Sequence, residues 1–166
     1  MVVTLSELQA LEPLAQVPVE DLARLIEHGY GREYEPGAVV FEPGSYAFAG
    51  LLVVKGRLSV HVVSPSEVRE VGRIGVGEVA GEAAFFDAGA VHTVKVVADH
   101  PTKVLVITQQ LLRNARGSHA LAAMQSHTVR VMAQRIRRTN ANLRALWEEH
   151  SDTPEDFQDA LRESIR

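Results

Sequence analysis

The sequence predicts an α+β fold, a β-roll or barrel with short helices before it and one long helix after it. Three observations carry that prediction. Helix-capping signals occupy the first thirty residues, short apolar runs broken by glycine fill residues 34–108, and apolar residues recur with 3,4 spacing over residues 119–147. Many short strands with turn residues between them suit a curled antiparallel sheet, whereas 3,4 spacing is a helical period. The 166 residues fit one domain with modest appendages.

Thr4, with Glu7 three residues on, is a capping-box pattern for a first helix through about Leu11. Pro18 at the first helical position, with Glu20 and Asp21 in the first turn, opens a second helix. Its Leu22, Leu25 and Ile26 share one face, and Gly29 and Gly31 are expected to end it. From Tyr34 the expected strands are 39–41, 51–54, 58–63, 68–74, 92–97 and 104–107. Lys55-Gly56-Arg57 reads as a tight hairpin turn and Ser64-Pro65-Ser66 as an exposed loop.

The strand region ends near Thr108, and a short helix over about 109–115 leads through Gly117-Ser118 into the long helix. There Ala122, Gln125, Val129, Met132, Ile136, Thr139, Leu143 and Leu146 form the seam of a two-helix coiled coil. Leu121, Met124 and Val131 lie beside the seam, placed to cover the barrel. A helix with one apolar stripe for its own domain and another left over points to a parallel homodimer. Thr153 as cap and Pro154 as first residue open a terminal helix with Phe157, Leu161 and Ile165 on one side. The expected organisation is a helical segment over 1–30, a β-roll over 31–108, C-terminal helices over 109–148 and an acidic tail with a short amphipathic helix over 149–166.

Composition excludes several classes. Without cysteine there is no disulfide, thiolate zinc site, iron–sulfur cluster or cysteine nucleophile. The N-terminal residues lack the charge and apolar run of a leader, and no apolar run reaches membrane-spanning length, so a cytoplasmic protein without a membrane partner is expected. A formal net charge of −4 argues against a nucleic-acid partner. The charge is unevenly spread, however. Residues 100–147 hold no acid but include Arg130, Arg135, Arg137, Arg138 and Arg144, and acids return from Glu148 onward. These arginines read as a nucleic-acid surface, as solvated helix faces, or as charges that the acidic tail folds back to shield. No His-x-His pair supports a metal site of His61, His92 and Glu82, and no nucleophile elbow or Walker loop is present. The chain reads as a binder, with no catalytic residue and no metal.

Gly77-Glu78-Val79-Ala80-Gly81-Glu82-Ala83-Ala84-Phe85-Phe86, followed by Val91-His92-Thr93-Val94-Lys95-Val96, is the stretch that suggests a ligand. Glycine lets the backbone approach a ligand closely, and the first N–H groups of a helical turn suit a phosphate. Glu82 can only accept hydrogen bonds, so its natural partner is a hydroxyl. Together with Glu35-Pro36-Gly37, Phe41-Glu42-Pro43-Gly44-Ser45 and Val54-Lys55-Gly56-Arg57-Leu58, the stretch resembles the cyclic-nucleotide-binding domains of the bacterial catabolite-activator type, over about residues 12–147.

The resemblance implies an antiparallel β-roll of the double-stranded β-helix, jelly-roll kind, with N-terminal helices and a long C-terminal dimerisation helix. It implies a non-enzymatic sensor that binds a cyclic purine nucleotide, cyclic AMP before cyclic GMP, needs no further cofactor, and relays occupancy to a protein partner. By the same resemblance Gly81, Ala83 and Ala84 hold the phosphate, Glu82 the ribose, His92 and Thr93 the exocyclic oxygens, and Thr139 and Asn140 the purine. The family has arginine where this chain has His92. Losing such a charge-assisted bond, worth about 1.5–3 kcal/mol, weakens binding roughly tenfold to a hundredfold. The alternative is therefore a degenerate domain that persists as a dimeric scaffold or adaptor. A third reading, a transcription regulator, is disfavoured by net charge and by a tail too short for a helix-turn-helix.

Overall fold

The computed structural model describes residues 2–87, 89–115 and 117–149, and the terminal helix expected from Thr153 lies outside them. The chain forms two compact units, the first running to Val129 and the second beginning at Arg130.

Helix α1 (Leu5–Gln9) starts as its capping box requires. The Thr4 hydroxyl accepts the Glu7 N–H at 3.3 Å, and the Glu7 carboxylate accepts the Thr4 N–H at 2.8 Å. Glu7 also accepts from Lys103 Nζ at 2.8 Å, and this bond, with the Thr4 N–H second, holds its carboxyl at a pKa of about 2. After a 3₁₀ turn at Glu12–Leu14 comes α2 (Val19–His28), with Leu22 and Leu25 buried and Ile26 packed beside them. Pro18 is its cap rather than its first residue, and Gly29 ends it. Gly31 takes no part in the stop. It lies inside β1 (Tyr30–Tyr34), a mostly exposed strand whose sequence has no apolar alternation to announce it.

The strands β1, β2 (Val39–Phe41), β3 (Ala49–Lys55), β4 (Leu58–Val63), β5 (Val68–Ile74), β6 (Val79–Ala80), β7 (Lys95–Ala98) and β8 (Thr102–Thr108) make a β-roll of two four-stranded antiparallel sheets. Their orders are β1-β8-β3-β6 and β2-β7-β4-β5. β2, β4 and β5 match the expected spans residue for residue, whereas β6 is too short to leave a periodic signal. β7 begins at Lys95 instead of His92, because the His92 backbone bonds to the Gly44-Ser45 turn. The turn at Lys55-Gly56-Arg57 is no hairpin: β3 and β4 belong to different sheets, and the turn passes the chain between them. Gly56 makes this possible, with φ of 88° and no room for a Cβ, which would lie 2.5 Å from the Pro101 carbonyl oxygen. Ser64-Pro65-Ser66 does close a hairpin, since Val63 pairs with Val68.

Two cores lie on the two faces of the β8-β3 pair. Leu52, Val54, Leu105 and Ile107 pack with the helical leucines Leu8, Leu14, Leu22 and Leu25. Leu51, Val53, Val104 and Val106 pack inside the roll with Leu58, Ile74 and Val96. Helix α4 (Gln109–Asn114) is capped by the Thr108 hydroxyl, which accepts the Leu111 N–H at 3.2 Å. Helix α5 (His119–Glu149) begins in the first unit, where Leu121 and Met124 join the helical core as expected. Asp21 of α2 holds its start, accepting from the His119 N–H at 2.9 Å and from His119 Nδ1 at 2.8 Å. In the second unit the same helix exposes Met132, Ile136 and Leu143, and Val131 is half-buried.

Two predictions follow from this packing. The Thr128 hydroxyl is buried with no hydrogen-bond partner among the described residues, so Thr128→Val is expected to stabilise the fold by about 1 kcal/mol in urea denaturation. Glu7 has a folded pKa below its unfolded value of 4.5, so its contribution is complete above that pH and is lost as pH falls toward about 2. Its side chain is a third exposed, which reduces the contribution to about 1 kcal/mol. Glu7→Gln should therefore lower stability at pH 7 by about that amount and make no difference at pH 2.

Candidate functional site

The stretch singled out in the sequence forms one end of the β-roll. β6 leads into Gly81, whose φ is 71°, and Glu82 then caps the four-residue helix α3 (Ala83–Phe86). The Ala84 N–H donates to the Gly81 carbonyl at 3.1 Å and the Phe85 N–H to the Glu82 carbonyl at 2.8 Å, closing a compact turn. Gly81, Glu82 and Ala83 are half-buried and Ala84 is buried. The positive φ suits glycine, and a side chain there would also meet Phe41, with a Cβ 3.0 Å from its ring atoms Cε2 and Cζ.

His92 comes to the same place from the segment before β7. Its N–H donates to the Ser45 carbonyl at 2.8 Å, and its carbonyl accepts the Gly44 N–H at 2.7 Å. The turn glycine at 44 thus fixes the histidine. Its side chain is buried, 7% exposed, and its ring stacks on Phe41 with centroids 3.8 Å apart and planes 16° from parallel. Burial lowers its pKa from 6.5, only partly opposed by the Glu82 carboxylate, so the ring is neutral at pH 7. Thr93, the next residue, is exposed.

The structure therefore brings Gly81, Glu82, Ala83, Ala84 and His92 into one neighbourhood. Thr139 and Asn140 are exposed residues of α5 in the second unit. Two cations of the same sheet face carboxylates: Arg73 Nε donates to Glu70 at 2.7 Å, and Lys95 Nζ lies 3.3 Å from Glu42. Phe41 is the residue that sequence reasoning passed over. It stood in the sequence only as part of a turn motif, and no spacing links it to Gly81 or His92.

A cavity of about 400 Å³ adjoins the Phe41–His92 pair, lined also by Tyr34, Ser45, Tyr46 and Phe48. Arg32 opens onto it with its guanidinium 4.7 Å above the Tyr34 ring. Chemically the region offers backbone donors at a tight turn, one carboxylate acceptor, a neutral imidazole and aromatic walls. That is equipment for recognition.

Comparison with known proteins agrees. The cyclic nucleotide-binding domain model matches residues 31–119, more than half of the chain. Among curated proteins no sequence relative matches. Among solved structures, a mutant cAMP-binding acyltransferase from Mycobacterium smegmatis is 25% identical with a TM-score of 0.68. The match covers 81% of this chain and 41% of that one, so this chain spans less than half of that enzyme's length. The N-terminal domain of a transcriptional regulator from Streptomyces coelicolor is 23% identical, with a TM-score of 0.60, over 81% of this chain and 95% of that domain. The catabolite activator protein of Thermus thermophilus is 22% identical, with a TM-score of 0.61, over 81% of this chain and 62% of its own. With its two-sheet roll, its glycine turn at Gly81 and this matched span, the chain belongs to the cyclic nucleotide-binding domain family.

Proposed function

We propose that the chain is a non-enzymatic sensor that binds a cyclic purine nucleotide, cyclic AMP before cyclic GMP, in the cytoplasm. The observation that carries this reading is the Gly81 turn, which places a helical start, the Glu82 carboxylate and buried His92 together in a family-matched roll. In this reading the turn from Gly81 through Ala83 and Ala84 receives the phosphate, Glu82 accepts from the ribose hydroxyl, and His92 and Thr93 meet the exocyclic oxygens. Thr139 and Asn140 meet the purine. The segments 1–30, 31–108 and 109–148 then serve as helical cover, nucleotide-binding roll and output helices.

The output is a homodimer through α5. Val129, Met132, Ile136 and Leu143 repeat at 3,4 spacing and are all exposed, the pattern of a coiled-coil seam. Nucleotide bound to both roll and helix shifts the helix pair toward the arrangement it contacts, and a protein partner reads the change.

The buried, uncharged state of His92 favours a second reading, a dimeric scaffold that has lost its nucleotide. Calorimetric titration with cyclic AMP and cyclic GMP separates the two. A working site binds at micromolar or tighter concentration, and its affinity rises as pH falls from 8 to 5.5, because the phosphate favours the protonated imidazole. His92→Arg tightens it roughly tenfold to a hundredfold. Absence of binding by both proteins favours the scaffold reading. For the dimer, Ile136→Glu with Leu143→Glu should give a monomer in sedimentation equilibrium, with the β-roll still folded.

A further inference from the structure

Phe41 lies against both His92 and the Gly81 turn, where the nucleotide reading seats the phosphate. Its ring lies face-on to His92 at 3.8 Å, and its Cε2 and Cζ edge closes on the Gly81 turn. A phosphate seated between Gly81 and His92 needs that space, and it gains nothing from an aromatic face, whose quadrupole is negative. The ring also has somewhere to go. It already lines the cavity of about 400 Å³ beside Tyr34, Tyr46 and Phe48, and both Tyr46 and Phe48 are half exposed at its mouth. The strand that carries it is short, with three residues, and its pairing with β7 shifts register between Val39 and Phe41.

We propose that Phe41 is an intramolecular gate on the anion end of the site, stacked on His92 when the site is empty and swung into the adjoining cavity when nucleotide binds. This rests on the nucleotide-binding reading and adds to it a residue that sets affinity. Every ligand must break the Phe41–His92 stack before its phosphate reaches the Gly81 turn, so part of its binding energy is spent on the protein. A smaller residue at position 41 removes that cost.

The test is titration of the full chain with cyclic AMP, comparing Phe41→Val and Phe41→Ala with the natural residue, in both the His92 and the His92→Arg backgrounds. Where His92 is retained, either change should lower the Kd about threefold to tenfold, the range set by one aromatic pair; in the His92→Arg background, where Phe41 still fills the Gly81 end without that pair, it should lower the Kd by less. In the protein that keeps Phe41, its ring protons, shifted by the stacked imidazole, should move to new positions on saturation with nucleotide. Unchanged or weaker binding by the Phe41 variants, in a background that does bind, overturns the gate and leaves the nucleotide reading standing. Loss of binding from every one of these proteins overturns both. Should the variants fail to fold, judged by far-ultraviolet circular dichroism, the ring protons decide: positions unaltered by saturating nucleotide rule the gate out.

Discussion

The structure depends on two strands, β3 and β8, that bury both of their faces. Successive residues of a strand point to opposite sides, so Leu51 and Val53 enter the interior of the roll while Leu52 and Val54 enter the core beneath the helices. In β8, Val104 and Val106 take the first side and Leu105 and Ile107 the second. Slipping either strand by one residue would exchange the two sets, each shaped to a different partner. Because β8 also pairs with β1, and β3 with the short β6 that feeds Gly81, this pairing sets where the ligand turn stands.

The site shows how burial alters chemistry without altering fold. Histidine carries only a conditional charge, and burying His92 beside an aromatic ring removes it at neutral pH. Arg73 and Lys95 face carboxylates of their own. The backbone of the Gly81 turn survives any side-chain change that leaves that glycine's conformation intact, and Arg32 still opens onto the adjoining cavity.

The long helix divides its labour along its length. Near its start, Asp21 fixes the first turn and Leu121 and Met124 belong to the core, so those residues are committed to the first unit. From Val129 onward the seam residues Val129, Met132, Ile136 and Leu143 are exposed, and burying them requires a second surface. The same 3,4 spacing runs through both stretches, so periodicity cannot distinguish the stripe that packs at home from the stripe that does not.

Strands β2, β4 and β5 could be read from the sequence to the residue because turn residues bound each apolar run, and the capping box at Thr4 and the glycine turn at Gly81 were equally plain. These are local signals, in which a few neighbouring residues carry the whole physical reason. Three features lay beyond them. β1 is an exposed edge strand with no apolar pattern, Gly56 turns the chain from one sheet to the other where a hairpin was expected, and Phe41 meets His92 across the roll. By itself, then, the sequence determined the family's glycine turns, the strand and helix periods, and the histidine in place of arginine. Which rings stack, which carboxylates neutralise which cations, and whether that histidine carries charge were decided only by tertiary structure, because each depends on distance and desolvation between residues remote in the chain.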